Sequence, residues 1–437
     1  MTSNSANADL VDPRGPVFIS YRQSDGNELA ENLAWGLRAA GIPVWHDQTD
    51  LPPGDTENRL AEALSSGISG AVLLVTPEVT NSTVIREVEL PRLLELEKNP
   101  VFTFAVGSTV EHPYDAGSLD YSAPDQLLGQ EQGTLQGLHQ ARIANIGESA
   151  ALANAMCRRR MEALRRDIER ASGLLRLDVQ TRVPPYAMAT EGDLVLRLRP
   201  PIDGERRPHV GGLHDLHRFL GHLPQLVAIA GASAVQVWGG AHLSVACAIG
   251  AALPTTLLGK VDVIDNQGEA WALTGQAPTP TAERQCENVK PPTCISKSGP
   301  VLVYVDLLPQ RSDAAFEAFS QFRSDFAGIA HLRHRQEGLL VPEQAAAIVG
   351  ELSSDIRSLA NAHNTTDVHL LLRCPYPIAL LLGRTLNTLT AHLYEWEDSP
   401  TDCPGSNPRY IPSVILRPGA GGSPIYSVTA PPLVGLT

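Results

Sequence analysis

The sequence lacks an excess of basic residues, paired cysteines and long apolar runs. Its 34 Lys and Arg against 48 Asp and Glu give a net charge of −14, which excludes a general nucleic-acid binder, because such proteins need a broad basic surface. Six cysteines stand far apart without a C-x-x-C pair, a pattern typical of reduced thiols in a cytosol. No apolar run approaches the roughly 20 residues that span a bilayer. We therefore expect a cytoplasmic protein whose partners include neither a membrane nor a DNA or RNA duplex.

Several familiar signatures are also missing. The N-terminus has no basic stretch followed by an apolar one, so a signal peptide is not expected. There is no G-x-x-x-x-G-K-[ST] phosphate loop, no H-E-x-x-H and no G-x-S-x-G elbow. His331 and His334 lie three residues apart, but no third ligand stands near them. No metal site is predicted.

What the chain does contain is a regular alternation of short apolar strands and amphipathic helices. A length of 437 residues suggests two or three domains. VFIS at 17–20 reads as a strand, and Leu29, Leu33 and Leu37 then form one face of a helix that Gly41 should end. Such alternation is typical of βαβ units in an α/β fold with a parallel sheet, where ligands sit beyond the carboxyl ends of the strands.

The later part of the chain repeats this pattern twice. One βα pattern begins near 193–200 and another at 299–310. In each, a buried strand ends in a Gly or Pro turn and an apolar helix carrying a Gly follows, so we interpret them as divergent copies of one unit. The predicted domains are 1–145, a helical linker at 146–178, and 179–437, whose halves cover about 179–290 and 299–437.

The first domain has the ordered motifs of a known family. FISY, Asp25, VWHD, LPPGD and then VTPEVTNS before a Glu-bearing helix resemble the toll/interleukin-1 receptor (TIR) domain over about residues 15–145. The resemblance implies a flavodoxin-like parallel sheet. It also implies either a scaffold that pairs with other TIR domains or an enzyme that cleaves NAD at the nicotinamide–ribose bond, as many bacterial defence proteins do.

Cleavage of that bond builds positive charge on the ribose, which a nearby carboxylate can stabilise or attack. The TIR enzymes carry this Glu on the helix after the fourth strand, four residues beyond a Trp, and the corresponding helix here has no Trp. Two acids remain candidates. Glu89 is followed by Leu90 and Leu93 with the family's apolar spacing, whereas Glu87 is closer to the usual distance from the preceding strand. The apolar spacing favours Glu89.

The same resemblance implies a set of NAD-binding residues. Arg22 ends the first strand, where its guanidinium could pair with the pyrophosphate. Trp45 stands where the family places groups near the nicotinamide, and 51–55 match its mobile loop. The residues implied are Ser20, Tyr21, Arg22, Trp45, Asp47, Leu51 and Gly54. NAD is expected as the substrate, and no separate cofactor is expected.

The C-terminal part resembles a second family. VQVWGGAHLSVACAIGAALPTTLLGKVDVID and VHLLLRCPYPIALLLGRTLNTLTAHLYEWED look like a SAVED domain over about residues 180–437. That family consists of two fused units like those of CRISPR-associated Rossmann (CARF) sensors, and it binds cyclic oligonucleotides. TIR–SAVED fusions are effectors of the CBASS anti-phage system and typically respond to a cyclic trinucleotide made by a partner nucleotidyltransferase.

The residues themselves agree with a ligand crevice. Two Rossmann-like units side by side present strand ends and helix N-termini, which favour phosphates, to one shared space. Glycines there admit a ligand to the backbone, Arg can fork onto phosphate and Tyr can stack on a base. The predicted cyclic-nucleotide-binding residues are Arg199, Gly239, Gly240, His242, Ser244, Lys260, Leu307, Gln310, Arg373, Pro375, Tyr376 and Arg384.

Together the two resemblances predict an NAD glycohydrolase that depletes NAD in anti-phage defence. A cyclic trinucleotide is expected to activate it by driving head-to-tail assembly into a homo-oligomer or filament, because heterologous contacts can extend without closing. Two alternatives stay open. One is a TIR scaffold without activity, which the absent Trp favours, and the other is a cyclase that makes cyclic ADP-ribose.

Overall fold

Helices and strands alternate along most of the chain in the computed structural model. The structure describes residues 11–45, 63, 67–182, 192–201, 207–273, 284–289, 293–294, 296–322, 325–397, 408–419 and 421–430. These residues group into two units, each described by itself here. The first takes the described residues within 1–173, 185–197 and 226–232, and the second takes those within 174–184, 198–225 and 233–437.

A parallel five-stranded sheet forms the centre of the first unit. Its strands are β1 Val17–Ser20, β2 Val44–Trp45, β3 Gly70–Val75, β4 Thr103–Ser108 and, after a hairpin of β5 Glu111–His112 and β6 Asp115–Leu119, β7 His139–Arg142. The spatial order is β2-β1-β3-β4-β7, with every neighbouring pair parallel. This is the flavodoxin-like order 2-1-3-4-5, and it confirms the predicted fold of this domain.

Four α-helices lie wholly within the described residues of the same unit. They are α1 Gln23–Ala39, α2 Leu90–Glu97, α3 Ala123–Leu127 and α4 Ile146–Arg170. In α1 the predicted apolar face buries Leu33 and Leu37. Gly41 follows with φ +81°, a left-handed conformation in which glycine commonly ends a helix.

The polar stretch 107–145, which has no apolar periodicity in the sequence, contains the hairpin, α3 and β7. Asp125 organises it, because its buried carboxylate accepts hydrogen bonds from the backbone N–H groups of Gly133 at 2.8 Å and Leu135 at 2.7 Å. The chain then enters β7 beside β4. This strand escaped prediction because its sequence, HQAR, has no apolar alternation.

Helix α4 lies within the segment predicted as a linker, and it packs against α1, β4 and β7 of the first unit. Asn145 caps its start by accepting a hydrogen bond from the Glu148 N–H at 3.0 Å. Arg160, on the buried side, donates to the backbone oxygens of Arg14, Gly15 and Asp193. Burial lowers the pKa of this guanidinium to about 10. These bonds anchor α4 within the first unit.

The second unit contains the two related halves. Its first half has β8 Leu174–Gln180, α5 Val210–Leu220, β10 Ala234–Gly240, α7 Leu243–Ala252, β11 Lys260–Ile264 and β12 Ala270–Ala272. Strand β9, Leu194–Arg197, comes between β8 and α5 in the chain and belongs to the first unit. Helix α6, Leu223–Ile229, comes between α5 and β10. After β13 Cys286–Asn288 and β14 Thr293–Cys294, the second half has β15 Val301–Asp306, α8 Ala314–Phe322, β16 Gly328–His334, α9 Ala345–Ala362, β17 Asp367–Arg373, α10 Tyr376–Gly383, β18 Thr390–Glu397, β19 Arg409–Leu416 and β20 Ile425–Val428.

The two halves have the same strand order. β8-β10-β11-β12 in the first corresponds to β15-β17-β18-β19 in the second, three parallel strands followed by an antiparallel one in each case. This agreement supports the interpretation of two copies of one Rossmann-like unit.

Helices α7 and α10, which follow equivalent strands, cross each other through two glycines. A Cβ on Gly250 would lie 1.9 Å from the Leu380 oxygen, and one on Gly383 would lie 2.1 Å from the Cys247 oxygen. Both pairs are offset by the same number of residues, so the contact is reciprocal. Only glycine permits so close an approach of the two backbones.

Two further findings concern membrane-spanning helices and cysteine thiols. No helix of the described part of the chain is long and apolar enough to cross a membrane. Cys157, Cys247, Cys286 and Cys374 are buried free thiols, and burial raises the pKa of the Cys157 thiol to about 12. Thiols held in this protonated state are poor nucleophiles.

Candidate functional site

A buried carboxylate lies at the carboxyl edge of the first sheet. Glu89, 6% exposed, accepts a hydrogen bond of 2.5 Å from the hydroxyl of Ser20, the last residue of β1. The contact joins two of the predicted site residues at the edge where ligands bind in such sheets. This hydrogen bond restricts the orientation of the carboxylate.

The local helix geometry explains the position of Glu89. Ile85–Glu89 form a single π-helical turn before α2, and the Leu90 N–H bonds to the Ile85 oxygen. Pro91 follows and has no N–H to give the Glu87 oxygen, the acceptor that a regular α-helix would use. Insertions of this kind recur at functional sites. Ile85, Leu90 and Leu93 are buried, which holds the turn against the sheet.

Glu87 and Glu89 lie on different sides of this turn. Glu87 is exposed, as is its neighbour Val88, whereas Glu89 points inward. Side chains that are two positions apart on a helix point in nearly opposite directions. Only one of the two acids can therefore face the interior. Glu89 occupies that position, and its catalytic role stays a prediction.

The other predicted residues at the end of β1 already have partners within the chain. Arg22 forms an ion pair with Asp25 at 3.1 Å. Tyr21 packs over the start of α1, where a Cβ on Gly26 would lie 3.1 Å from its ring. For Arg22 to bind a pyrophosphate, the contact with Asp25 would have to open. Asp47, Leu51 and Gly54 lie outside the described residues.

Trp45 is half-buried on the edge strand β2, where it packs against the apolar core. Its indole Nε1 is buried and has no hydrogen-bond partner among the described residues. The same holds for the hydroxyl of Thr76, which directly follows β3 and was not predicted. A polar residue at the carboxyl end of a buried strand was the available signal. Both groups could donate to a ligand without breaking a bond within the described part of the chain.

The opposite edge of the same sheet carries an open groove of about 840 Å³. Its floor includes Phe102 and Leu138 at the starts of β4 and β7, and Arg158, Arg159 and Arg166 of α4 line one side. His139 also lines it, and its pKa is lowered by burial and by the nearby Arg159. Glu97 and Glu162 also line the groove, and Glu162 pairs with Arg158 and Arg159. The groove therefore combines an apolar floor with charges of both signs, at the edge away from Glu89.

In the second unit, the N-terminus of α7 is already occupied by a carboxylate. The Ser244 N–H donates to Glu395 of β18 at 2.8 Å, and the Ser244 and Ser413 hydroxyls lie 2.8 Å apart. His242, at the N-cap, contacts the Thr181 hydroxyl at 2.9 Å through Nδ1. His242 and Ser244 are 1% and 0% exposed. Their side chains form a buried polar layer in this conformation, so direct ligand contact stays a prediction.

Arg384 and Leu307 are also interior. Arg384, 1% exposed, donates through Nε to the Leu253 oxygen at 2.8 Å and through Nη2 to the Leu258 oxygen. Burial lowers its pKa to about 10. Arg384 therefore holds in place the segment 253–258, which follows α7. Leu307 is 2% exposed and joins the Arg373 oxygen through its N–H at 2.8 Å.

The remaining predicted cations are partly accessible and neutralised by carboxylates. Arg373, at the end of β17, bonds to Asp306 at 2.6 Å. Arg199 bonds to Asp215 at 3.0 Å. Lys260 is exposed and lies 3.7 Å from Asp262. Gln310 is exposed after β15.

Tyr376 and the two strand-end glycines lie where the halves meet. Pro375 is the N-cap of α10, and the Tyr376 hydroxyl after it is buried without a hydrogen-bond partner among the described residues. Burial and the charge of Asp178 on β8 raise its pKa. A Cβ on Gly239, which has φ +92°, would lie 3.1 Å from that same carboxylate, whereas the space beside Gly240 is open. Asp178 thus links the strand ends of the first half to α10 of the second.

One exposed aromatic at this end of β10 was missed. Trp238 is 41% exposed, its Nε1 donates to Gln236 at 2.9 Å, and it pairs in register with Asp178. An exposed indole beside a Gly-Gly turn can stack on a base. The WGG sequence contained that signal.

Two family models match separate parts of the chain. Residues 17–126 match the TIR domain. Residues 222–416 match SAVED, described as the SMODS-associated and fused to various effectors sensor domain. The predicted order of a TIR domain and then a SAVED domain is confirmed.

Individual relatives match less of the molecule. Over 74 residues the chain is 42% identical to the NAD(+) hydrolase PdTIR of Paracoccus denitrificans (strain Pd 1222), a stretch covering 16% of this chain and 25% of that protein. The chain thus spans about a quarter of the length of this curated relative.

Among solved structures, the Acinetobacter baumannii Cap4 SAVED/CARF-domain containing receptor with the cyclic trinucleotide 3'3'3'-cAAA is similar at 13% identity and a TM-score of 0.44, over 79% of this chain and 88% of that one. The Moraxella osloensis Cap4 receptor is similar at 11% identity and a TM-score of 0.40, over 76% and 86%.

Proposed function

We propose that this chain, a TIR domain followed by a SAVED domain, is an NAD glycohydrolase that a cyclic trinucleotide activates. The observation that carries the proposal is the buried Glu89 carboxylate held by Ser20 at the carboxyl edge of the TIR sheet. The identity shared with an NAD(+) hydrolase over 74 residues supports the same reaction. In the proposed biological setting, activation depletes NAD in an infected bacterium as part of CBASS defence.

The chemistry needs one well-placed carboxylate. When the nicotinamide–ribose bond breaks, its electron pair leaves with the ring nitrogen, and nicotinamide departs as a neutral molecule that requires no general acid. Positive charge is left on the ribose, where Glu89 would stabilise it or bond to it. Water then adds to the sugar carbon and releases ADP-ribose and a proton.

The burial of Glu89 supports a resting form that is inactive. Glu89 is 6% exposed as a whole residue, so we expect its surroundings to rearrange before a ribose lies against the carboxylate. The groups at the end of β1 and the unpartnered polar atoms of Trp45 and Thr76 would then meet the rest of the dinucleotide. Activation is therefore expected to open the pocket.

The activator would bind where the two SAVED halves meet. The Tyr376 hydroxyl has no hydrogen-bond partner there among the described residues, and the space beside Gly240 is open. Arg373 is partly accessible and paired with Asp306, and Trp238 adds an exposed aromatic surface. The matched family is described as a sensor domain fused to effectors, which supports a sensing role for this part of the chain and an effector role for the TIR domain. A cyclic trinucleotide offers the phosphates and bases that such groups bind.

Assembly is the proposed link between sensor and enzyme. The groove beside α4 gives the TIR domain a second surface, on the edge opposite Glu89. A contact between two different surfaces of identical chains is heterologous and can extend into a filament. Such a filament would place a neighbouring chain beside each TIR pocket. Sedimentation with and without the cyclic trinucleotide measures this assembly directly.

The test of the activity is incubation of the full chain with NAD, with and without cyclic trinucleotides such as 3'3'3'-cAAA, followed by chromatography of the products. The proposal expects nicotinamide and ADP-ribose only when the activator is present. Cyclic ADP-ribose as the main product would identify a cyclase instead.

A scaffold without activity is the second candidate, and one observation favours it. Ile85 and Thr83 stand four residues before Glu89 and Glu87, where the TIR enzymes have a Trp. A scaffold would assemble with the cyclic nucleotide and release no nicotinamide under any condition.

A further inference from the structure

A cluster of metal-ligand side chains lies at the amino-terminal edge of the second-half sheet. Asp367 and His369 of β17 and His392 of β18 offer ligand atoms that all lie within 4.8 Å of one another. Arg373 ends the same strand six residues later, roughly 20 Å away at the rise of an extended chain. The cluster is therefore separate from the proposed activator crevice.

The strand geometry brings these side chains together. Asp367 and His369 are two residues apart on β17, so they point to the same face of the sheet. β17 and β18 are parallel, and their register pairs His369 directly with His392. The two imidazole rings stack with their centroids 4.2 Å apart and their planes 12° apart.

Hydrogen bonds hold each ring in place. His392 Nε2 lies 2.6 Å from the Asp367 carboxylate, and His369 Nδ1 lies 2.6 Å from the Tyr394 hydroxyl. The Tyr394 hydroxyl is an outer partner of the kind that fixes the ring of a metal-binding histidine, whereas Asp367 is itself one of the three ligands of the cluster. His369 is 5% exposed, so its orientation is determined by packing as well.

The cluster opens into a cavity of about 390 Å³. Asp325 and Thr429 also line this cavity. A space of this size has room for an ion and for water at a remaining coordination position, and the second carboxylate could reach it. A site with three protein ligands and an open position is a common arrangement for Zn²⁺.

A second cluster in the same unit differs in one decisive respect. Asp306, Asp313 and His331 also offer three ligand atoms. There, however, Arg333 bonds to both carboxylates, and Arg373 bonds to Asp306. Guanidinium groups already supply the positive charge that a metal ion would bring. The partner of Asp367 is instead an imidazole, which is itself a metal ligand.

We infer that Asp367, His369 and His392 form a binding site for a divalent transition-metal ion with a preference for imidazole and carboxylate ligands, Zn²⁺ being the probe of choice. On binding, the ion takes the place of the proton between His392 Nε2 and Asp367. That proton moves through solvent to Nδ1 when the imidazole is neutral, and it is released to solvent when the ring is an imidazolium. The stacked rings tilt so that both nitrogens point to the ion. The ion then cross-links β17 and β18 at the edge opposite the crevice.

The test titrates Zn²⁺ into the full chain without an affinity tag, by calorimetry, and repeats the titration with Co²⁺, whose visible spectrum reports its ligands. Wild type is expected to bind one ion tightly per chain. Asp367→Asn, which keeps the shape of the side chain, and His392→Ala should each weaken that site at least tenfold, the loss that even outer partners of a ligand produce. His334→Ala removes a histidine from β16 of the same sheet and should change nothing.

Thermal unfolding gives a second readout, because an ion that binds only the folded chain raises its Tm. At one Zn²⁺ concentration, the Tm of wild type and of His334→Ala should rise by the same amount, and the Tm of Asp367→Asn should rise by less. Absence of a tight site in wild type, or equal affinity in wild type and Asp367→Asn, would overturn the inference. Asp367→Asn also decides the question if His392→Ala does not fold.

Discussion

The Ser20 hydroxyl donates a 2.5 Å hydrogen bond to the Glu89 carboxylate, and the two residues are 69 positions apart in the sequence. Both side chains are almost completely buried. The bond connects the end of β1 to the π-helical turn before α2, so it fixes where the carboxylate stands relative to the edge of the sheet. This relationship leads to the first prediction.

Replacing Ser20 by Ala should lower kcat of the activated enzyme about 10- to 100-fold and leave KM nearly unchanged. The reason is that a hydrogen bond to a charged group contributes about 1.5–3 kcal/mol, and here it orients the reacting carboxylate. Steady-state nicotinamide release measures both constants. Ser118→Ala is the matched control, because that hydroxyl also bonds to a carboxylate, Asp115, at 2.5 Å but on the exposed hairpin. Equal effects of the two changes on kcat would contradict the positioning role of Ser20.

Replacing Tyr376 by Phe should leave the free energy of unfolding unchanged or raise it by up to about 1 kcal/mol. Its hydroxyl is buried and has no hydrogen-bond partner among the described residues, and removing an unsatisfied polar group costs nothing. Tyr304→Phe is the control and should lose about 1 kcal/mol, since that hydroxyl donates to the Ser312 oxygen at 2.7 Å. Urea unfolding measures both.

The same Tyr376→Phe variant tests the ligand crevice. If the hydroxyl bonds to the cyclic trinucleotide, the activator concentration for half-maximal activity should rise about tenfold, the equivalent of about 1.4 kcal/mol. An unchanged activator concentration would remove the Tyr376 hydroxyl from the binding site.

Gly250→Ala should destabilise the second unit by about 3 kcal/mol or more, because overpacking of this severity forces backbones apart. The added Cβ would lie 1.9 Å from the Leu380 oxygen at the crossing of α7 and α10. Gly350→Ala, in α9, meets nothing within 4 Å, and it should instead stabilise by about 0.5–1 kcal/mol. Chemical denaturation with the two variants in parallel gives the comparison. A Gly250→Ala protein as stable as wild type would contradict the close crossing.

Glu395 should make stability depend on pH. Burial raises its pKa, while hydrogen bonds from Ser244 act in the opposite direction. A carboxyl group whose pKa is higher in the folded than in the unfolded state favours folding more as pH falls through its folded-state pKa. The free energy of unfolding of wild type relative to Glu395→Gln should therefore rise as pH is lowered from neutral towards the ordinary range of a carboxyl group. A difference that stays constant over this range would contradict the direction of the shift.

Hydrophobic periodicity and turn residues were sufficient to predict the helices and strands that bury continuous apolar faces. β1, α1, β3 and β4 could be predicted because their own residues specify a core-facing pattern. β7 could not, since HQAR acquires its strand conformation from pairing with β4. The repeat of two halves was visible in the sequence because both copies keep a strand, a turn and a Gly-bearing helix.

The hydrogen-bond partners of the interior polar residues could not be predicted from the sequence. Arg384 looked like a phosphate ligand, but its acceptors are the oxygens of Leu253 and Leu258, more than 120 residues earlier. Ser244 looked like part of a phosphate-binding helix start, but Glu395, 151 residues later, accepts from it. No local sequence pattern indicates hydrogen-bond partners that are so far apart along the chain. From the sequence, the candidates for the catalytic acid could be narrowed to Glu87 and Glu89. The π-helical turn in the structure is what shows that Glu89 is buried and Glu87 exposed.

The most direct test of the central claim compares nicotinamide release by wild type, Glu89→Gln and Glu87→Gln, each with NAD and a saturating cyclic trinucleotide. The account predicts that Glu87→Gln stays within about twofold of wild type and that Glu89→Gln is slower by about a thousandfold, roughly 4 kcal/mol of lost transition-state stabilisation. Unchanged activity in Glu89→Gln, or no nicotinamide from wild type with any cyclic trinucleotide, would contradict it.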